Sequence, residues 1–407
     1  MFRSRKEHAV SYSRVCLVIL DGVGAGPAPD SHLYNDAGAD TIGHLWERCG
    51  GLHLPNLLSL GLGAAHPLLP TPTAEPKAAF GLMREASVGK DTTIGHWELA
   101  GLISDTPFPV FPNGFPRSFL DDFERQTGRR TIGNVSASGT AIIEQLGDEH
   151  QRSGSFIVYT SADSVFQIAA HEETVPIEEL YQACLLARTL LTQDLAVARV
   201  IARPFLGTPG KYYRTDRRKD FSLPPPRSTI LDRIRAAGQE VVGIGKIEDI
   251  FAGQGITKSI HTHGNDDGVN VTLAELARPF PGLLFVNLVD YDMKYGHRRD
   301  VDGFKMALET FDYQLSTLLN SLTPTDTLII TADHGNDPTH HGTDHTRELV
   351  PLLAIGRGIQ AGQSLGIRNT FADVGATISE LLAVEIPPVG TSFAKLAEIS
   401  SIEETSQ

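Results

Sequence analysis

The sequence predicts an α/β protein: a central, mostly parallel sheet flanked by helices, interrupted by an inserted α+β cap domain. Three observations predict it. The apolar runs 15–20, 283–289 and 327–331 are continuous rather than alternating, as strands buried on both faces are. Each runs into aspartate, at Asp21, at Asp290 and Asp292, and at Asp333. Between them lie stretches with apolar residues at helical spacing.

Taken in order, residues 1–13 read as a disordered leader, 14–103 as the first part of the core, 104–222 as the cap and 223–407 as the second part of the core. The first strand, 15–20, is followed by Gly22, Gly24 and Gly26. Pro27 and Pro29 forbid a helix there, so this is a loop and not a dinucleotide-binding turn. Pro107, Pro109, Pro112 and Pro116 open the cap, and Leu223-Pro224-Pro225-Pro226 closes it stiffly. Inside it, 156–160 and 196–202 read as strands and 177–191 as a helix. Beyond it, 229–237 reads as a helix closed by Gly238, and the strand 241–245 ends in Lys246. Phe304, Leu308, Phe311 and Leu315 mark one face of a helix over 303–322, and 369–382 reads as another. The tail 403–407 reads as frayed.

Composition narrows the function. With 407 residues, 41% of them hydrophobic, the chain is long enough for two domains with a sizeable core. A net charge of −14 argues against nucleic acid or an anionic membrane as partner. Cys16, Cys49 and Cys184 show no CxxC spacing, which fits a reducing, cytoplasmic setting. The six-residue run 15–20 is too short for a membrane span or a secretory signal.

Two stretches carry chemistry. Residues 331–345 hold four histidines (334, 340, 341, 345) and three aspartates (333, 337, 344) at the end of a strand. Carboxylate plus imidazole suits Mn²⁺, Zn²⁺ or Fe rather than Ca²⁺. The plain alternative is a polar surface loop, and a lone strand-end aspartate is usually a cap or turn residue. Three such aspartates, with histidines attached, favour a metal site beyond the carboxyl ends of the strands. The second stretch is Gly89-Lys90-Asp91-Thr92-Thr93-Ile94-Gly95-His96-Trp97-Glu98. Here the Thr92 hydroxyl sits in a glycine-flanked turn before a helix, at whose N-terminus free N–H groups can hold phosphate oxygens, and a metal can activate the hydroxyl. Thr92 reads equally well as a helix N-cap. In the cap, Arg199, Arg203, Lys211, Arg214, Arg217, Arg218 and Lys219 form a basic cluster, to be weighed against a solvated surface.

These blocks, with Asp21-Gly22-Val23-Gly24, Asp292-Met293-Lys294-Tyr295-Gly296-His297-Arg298-Arg299-Asp300 and the cap segment 159–172, resemble phosphopentomutase of the prokaryotic, metal-dependent type, in the alkaline phosphatase superfamily. The resemblance spans about 14–396 and includes Arg203-Pro204-Phe205 and the core segment 245–251. It implies an alkaline-phosphatase-like core and two Mn²⁺ ions, with Zn²⁺ or another divalent metal as the alternative. One ion would be held by Asp292, His297 and His345. The other would be held by Asp21, Asp333 and His334, with the Thr92 oxygen as a further ligand. Asp292 and His297 lie five apart, which calls for a turn rather than a regular helix. His340 and His341 fall outside this pattern and are left to the loop or the surroundings of the metals.

The resemblance further implies an isomerase. Thr92 would carry a phosphoryl group, ribose 1-phosphate and ribose 5-phosphate or their 2-deoxy equivalents would interconvert between cap and core, and a sugar bisphosphate would activate the enzyme. Arg203, Arg214 and Lys246 are the candidates for the distal phosphate, and Asp163 for the ribose hydroxyls. Arg199 reads as well as a surface residue, and Asp163 as a turn residue. The rivals are a cofactor-independent phosphoglycerate mutase, against which Thr92 in place of serine speaks, a metal-dependent phosphatase or phosphodiesterase, and a non-catalytic metal-binding scaffold.

Overall fold

The computed structural model describes residues 13–161 and 163–395. The expectations for the leader 1–13, apart from Ser13, and for the tail 403–407 lie outside those residues. Among the described residues the strands are β1 (Arg14–Leu20), β2 (Ala79–Met83), β3 (Thr131–Ser136), β4 (Phe156–Thr160), β5 (Val165–His171), β6 (Arg199–Leu206), β7 (Tyr213–Arg214), β8 (Lys219–Ser222), β9 (Glu240–Ile244), β10 (Lys258–Ile260), β11 (Gly282–Leu288), β12 (Asp326–Thr331), β13 (Val350–Gly356) and β14 (Ser364–Arg368).

Two compact units result. One runs to Asp105 and takes in Pro225–Glu248 and the chain from Gly253 onwards; the other is Thr106–Pro224 with Asp249–Ala252. The first holds an eight-stranded sheet in the order β10-β9-β11-β1-β12-β13-β2-β14. Only β13 runs against its neighbours, so the sheet is mostly parallel. Every residue of β1, β11 and β12 is buried, which explains why these runs lack alternation. Register then sets up the sheet edge. Leu20 pairs with Leu288, and Ile19 with Thr331. Two residues beyond that second pair, along each chain, stand Asp21 and Asp333.

The second unit holds a six-stranded sheet, β3-β4-β5-β6-β7 with β8 also on β6. The helices Arg117–Thr127 and Ile177–Leu190 pack through a core centred on Phe119, Phe123, Phe156 and Phe166. The expected strand 196–202 is displaced: β6 runs from Arg199 to Leu206, through Pro204. Proline normally breaks a strand because it cannot donate to the ladder. Here β8 pairs residues 199–202 and β7 pairs 205–206, so Pro204 falls at the changeover where no donor is asked for.

Helix ends shift for local reasons. The helix expected over 303–322 is Val301–Ser321, because the Asp300 side chain accepts from Gly303 N and caps it two residues earlier. The helix expected over 369–382 is Ala372–Leu381, because Thr370 Oγ1 and Phe371 N are both engaged by Glu98 Oε1. No helix among the described residues is long and apolar enough to cross a membrane.

Candidate metal centre

Asp21, Asp292, Asp333, His334 and His345 come together, and His297 joins them through Asp292. Ligand atoms of Asp21, Asp333 and His334 lie within 4.8 Å of one another, as do those of Asp292, His334 and His345. His334 therefore stands between two groups. Its Nε2 is 3.4 Å from Asp21 Oδ1 and 3.3 Å from Asp333 Oδ2. His345 Nε2 is 3.3 Å from Asp292 Oδ1, and His297 Nε2 is 3.4 Å from Asp292 Oδ2. The His334 and His345 rings stack at 4.0 Å.

These separations are long for a good hydrogen bond. They match neighbouring ligands on one small ion, where bonds near 2.1 Å place tetrahedral ligand atoms roughly 3.4 Å apart. Two further features fit a cation. Asp21 Oδ1 is buried without a hydrogen-bond partner among the described residues, and it and Asp333 Oδ2 both face His334 Nε2. The outer nitrogens of two imidazoles are anchored: Nδ1 of His334 lies 3.0 Å from Gly335 O and Nδ1 of His297 lies 2.7 Å from Thr343 O. A carbonyl only accepts, so the proton belongs on Nδ1 and the lone pair on Nε2, towards the carboxylates.

The charges confirm how crowded the cluster is. Burial, then the Asp333 and Asp292 carboxylates, push Asp21 up to about 7. Burial would lower His334, but Asp333, Asp21 and Asp292 outweigh it and raise the ring to about 9. Burial opposes ionisation of Asp292 too, yet His345, His297 and His334 hold it well below the usual carboxylate range. Three buried carboxylates close together call for positive charge, and three carboxylates with three imidazoles suit Mn²⁺, Zn²⁺ or Fe.

The segment from Asp292 to His297 is neither a turn nor a regular helix but a π-helical one, Tyr291–Gly296. His297 N donates to Asp292 O at 3.1 Å, an i to i+5 bond. That pitch puts residues five apart on the same face, as an α-helix cannot. Asn336 Nδ2 holds Asp292 Oδ1 at 2.7 Å. A Cβ at Gly296 would meet Asn336 Cγ at 2.5 Å. Gly296→Ala is therefore expected to push that amide aside and weaken metal binding about 10- to 100-fold, as loss of a ligand's outer partner does. Metal titration of the stripped protein checks it; unchanged affinity would show that Asn336 does not orient Asp292.

Thr92 opens the helix Thr92–Leu99, but it is not the N-cap. Asp91 is: its Oδ1 accepts from Thr93 N at 3.0 Å and Ile94 N at 3.1 Å. This corrects two expectations. The Thr92 side chain is left for other work, and those two amides are taken by Asp91 rather than open to phosphate. Thr92 Oγ1 sits 3.1 Å from His334 Nε2. The helix reaches this position because Gly95 lets it lie against the end of β12: a Cβ there would meet Asp333 O at 2.2 Å. His96, fully buried one turn on, has Nδ1 2.9 Å from Thr92 O and 3.1 Å from Asp333 Oδ2.

Lys246, just beyond β9, bears on Asp21 and lowers its pKa against the larger effects of burial and the other carboxylates. The remaining candidates lie in the second unit. Arg217 pairs with Glu172 and Arg218 with Asp220. Arg203 and Arg214 have no carboxylate partner among the described residues; Arg203 Nε donates to Gln167 Oε1 at 3.0 Å. Both bear on the buried Tyr159 together with Arg218. Asp163 is exposed, with Arg199 Nη2 at 3.9 Å, and its carbonyl accepts from Val165 N in a turn.

Asn287, Asn336 and His96 were given no role from the sequence. Asn287 Nδ2 holds Asp21 Oδ2 at 2.7 Å. A polar residue inside the apolar run of β11 was the one available signal.

A model of the metalloenzyme superfamily matches residues 13–386. Phosphopentomutase of Carboxydothermus hydrogenoformans is 55% identical over 93% of this chain and 98% of that protein. Phosphopentomutase of Caldanaerobacter subterraneus is 53% identical over 94% and 97%. Among solved structures, Leishmania mexicana phosphoglycerate mutase matches at 14% identity and a TM-score of 0.47, over 95% of this chain and 98% of that one.

Proposed function

Because the chain belongs to the phosphopentomutase family of the metalloenzyme superfamily, an isomerase family, we propose that it interconverts ribose 1-phosphate and ribose 5-phosphate, and their 2-deoxy equivalents, through a phosphorylated Thr92. The observation that carries this reading is Thr92 Oγ1, 3.1 Å from His334 Nε2 within the carboxylate–imidazole cluster.

In this reading Asp21, Asp333 and His334 hold one Mn²⁺, with the Thr92 oxygen beside it, and Asp292, His297 and His345 hold the other. Zn²⁺ is the alternative. When bound, the ions stabilise negative charge on the transferred phosphoryl oxygens and on the Thr92 oxygen. Phosphothreonine gives its phosphoryl to the free hydroxyl of the pentose monophosphate. The bond from phosphorus to Thr92 Oγ1 breaks, one to the sugar oxygen forms, and a bisphosphate results. The sugar turns end for end, and Thr92 Oγ1 takes the phosphoryl from its other end. The same bisphosphate would prime an unphosphorylated enzyme. Asp91 and Gly95 keep Thr92 in place by capping the helix and letting it approach β12.

The unit 106–224 is assigned as a cap. Its Arg203 and Arg214 are assigned to the phosphate that is not being transferred, since neither forms an ion pair with a carboxylate among the described residues, whereas Arg217 and Arg218 do, and a guanidinium fork matches phosphate oxygens. Asp163 is assigned to the ribose hydroxyls. Lys246, whose charge reaches Asp21, is assigned to phosphate as well. A cytoplasmic place in pentose and nucleoside breakdown follows from this substrate class.

The test is incubation with ribose 1-phosphate, Mn²⁺ and a trace of bisphosphate. Ribose 5-phosphate should appear without free phosphate; release of free phosphate instead would make the protein a phosphatase. Arg203→Ala should raise KM for the sugar phosphate about 10- to 100-fold, the worth of a hydrogen bond to a charged group, with metal content unchanged. Loss of metal with an unchanged KM would remove Arg203 from substrate recognition.

A further inference from the structure

We propose a third metal site, apart from the cluster around Thr92: Asp36, His340 and His341 form a site for a single Zn²⁺-like divalent ion. Each of the three offers a ligand atom, and these atoms lie within 4.8 Å of one another. The two rings are 4.2 Å apart. Asp36 is buried, His340 half-buried and His341 exposed.

A second observation points to a ligand. His340 Nε2 is shut off from solvent and has no hydrogen-bond partner among the described residues. An imidazole nitrogen in that position is costly unless something binds it. His341 Nε2 lies 2.7 Å from Asn35 Nδ2. Taken as that amide's acceptor, it carries the lone pair an ion would use, and the exposed Asn35 amide can return to water. Asp36 receives Lys90 Nζ at 3.0 Å and Arg347 N at 2.9 Å, both on Oδ2, which leaves a second oxygen without a donor among the described residues. Lys90 does not close the site to a cation, because it has another carboxylate within reach in Asp344, at 3.5 Å.

Two imidazoles and one carboxylate, with room for water as a fourth ligand, suit Zn²⁺ and its neighbours, and not Ca²⁺ or Mg²⁺, which favour all-oxygen sets. The site explains the His340-His341 pair, for which the phosphoryl chemistry has no use. An ion there would tie the loop that delivers His345 to the Asn35–Asp36 turn.

The full-length protein, stripped by chelator and titrated with Zn²⁺, tests this by elemental analysis. The wild type should retain one equivalent more than the variant carrying His340→Ala and His341→Ala, with mutase turnover in Mn²⁺ unchanged in that variant. Failure to fill the cluster around Thr92 would lower both proteins equally, so the difference reports the outer site alone. If the double variant does not fold, His341→Ala on the exposed position carries the test, with at least a tenfold loss of affinity for that equivalent. Asp36→Asn should weaken the same equivalent. Equal zinc content in wild type and variant, or an affinity indifferent to Asp36 and so that of an adventitious histidine pair, would overturn the proposal.

Discussion

Thr92→Ala is expected to lower mutase turnover by at least about 10⁴-fold, in line with removal of a nucleophile from an otherwise intact site. The fold should not notice. Asp91, not Thr92, caps the helix, and both its bonds to Thr93 and Ile94 survive the change. Alanine also has the higher helix propensity, so stability should stay within about 0.5 kcal/mol. The cluster keeps its three carboxylates and three imidazoles, and metal content should fall by less than one equivalent. Thr92→Ser separates the hydroxyl from the rest of the side chain: it should restore most of the turnover and still accept a phosphate mass shift on the peptide spanning residue 92. Turnover of Thr92→Ala within tenfold of wild type would remove Thr92 from its assigned role, whatever the metal content.

Asp21→Asn is expected to stabilise the stripped protein at neutral pH and to lose much of that advantage when metal binds. In the stripped protein, burial and the neighbouring Asp333 and Asp292 raise Asp21 to about 7. The folded protein then holds a proton that the unfolded chain releases near pH 4. The contribution of Asp21 is full below that pH and is lost as pH rises to about 7. Asparagine keeps the bond from Asn287 and carries no charge. Its advantage should be nil near pH 4, grow to pH 7 and level off, on the order of 4 kcal/mol at pH 8. With Mn²⁺ at a hundred times its Kd, the wild type gains about 2.7 kcal/mol per filled site, and the variant, lacking a ligand, should gain less, so its advantage should shrink. Thermal melts at pH 5 and 8, with chelator and with Mn²⁺, read both effects. A variant that is destabilised without metal at pH 8 would mean that Asp21 is not under strain from its neighbours.

Much of this was legible locally. Continuous apolar runs mark β1, β11 and β12 because strands buried on both faces leave no room for alternation. Aspartates at their ends announce a polar sheet edge for the same reason: they stand where burial stops being apolar. The bounds of β6 were not legible, because how far that strand runs through Pro204 depends on which neighbour needs its N–H, and the neighbours β7 and β8 come from later in the chain. Thr92 and Asp91 could not be ranked as caps from residue type alone, since both side chains accept hydrogen bonds.

The sequence by itself determined the ligand types, the mostly parallel sheet and the hydroxyl at a helix start, because each depends on neighbours within a few residues. Only the tertiary structure decided which side chains meet. The register of β1 on β12 sets Asp21 beside Asp333 across more than 300 positions. A π-helical segment brings His297 back to Asp292. Carbonyl oxygens of Gly335 and Thr343 choose the nitrogen each ring turns inwards. The β1–β12 pairing and the Thr343 carbonyl join distant segments, which no local pattern of residues encodes; the other two contacts are close in the chain, and residue types alone do not choose a π-helical segment over a turn.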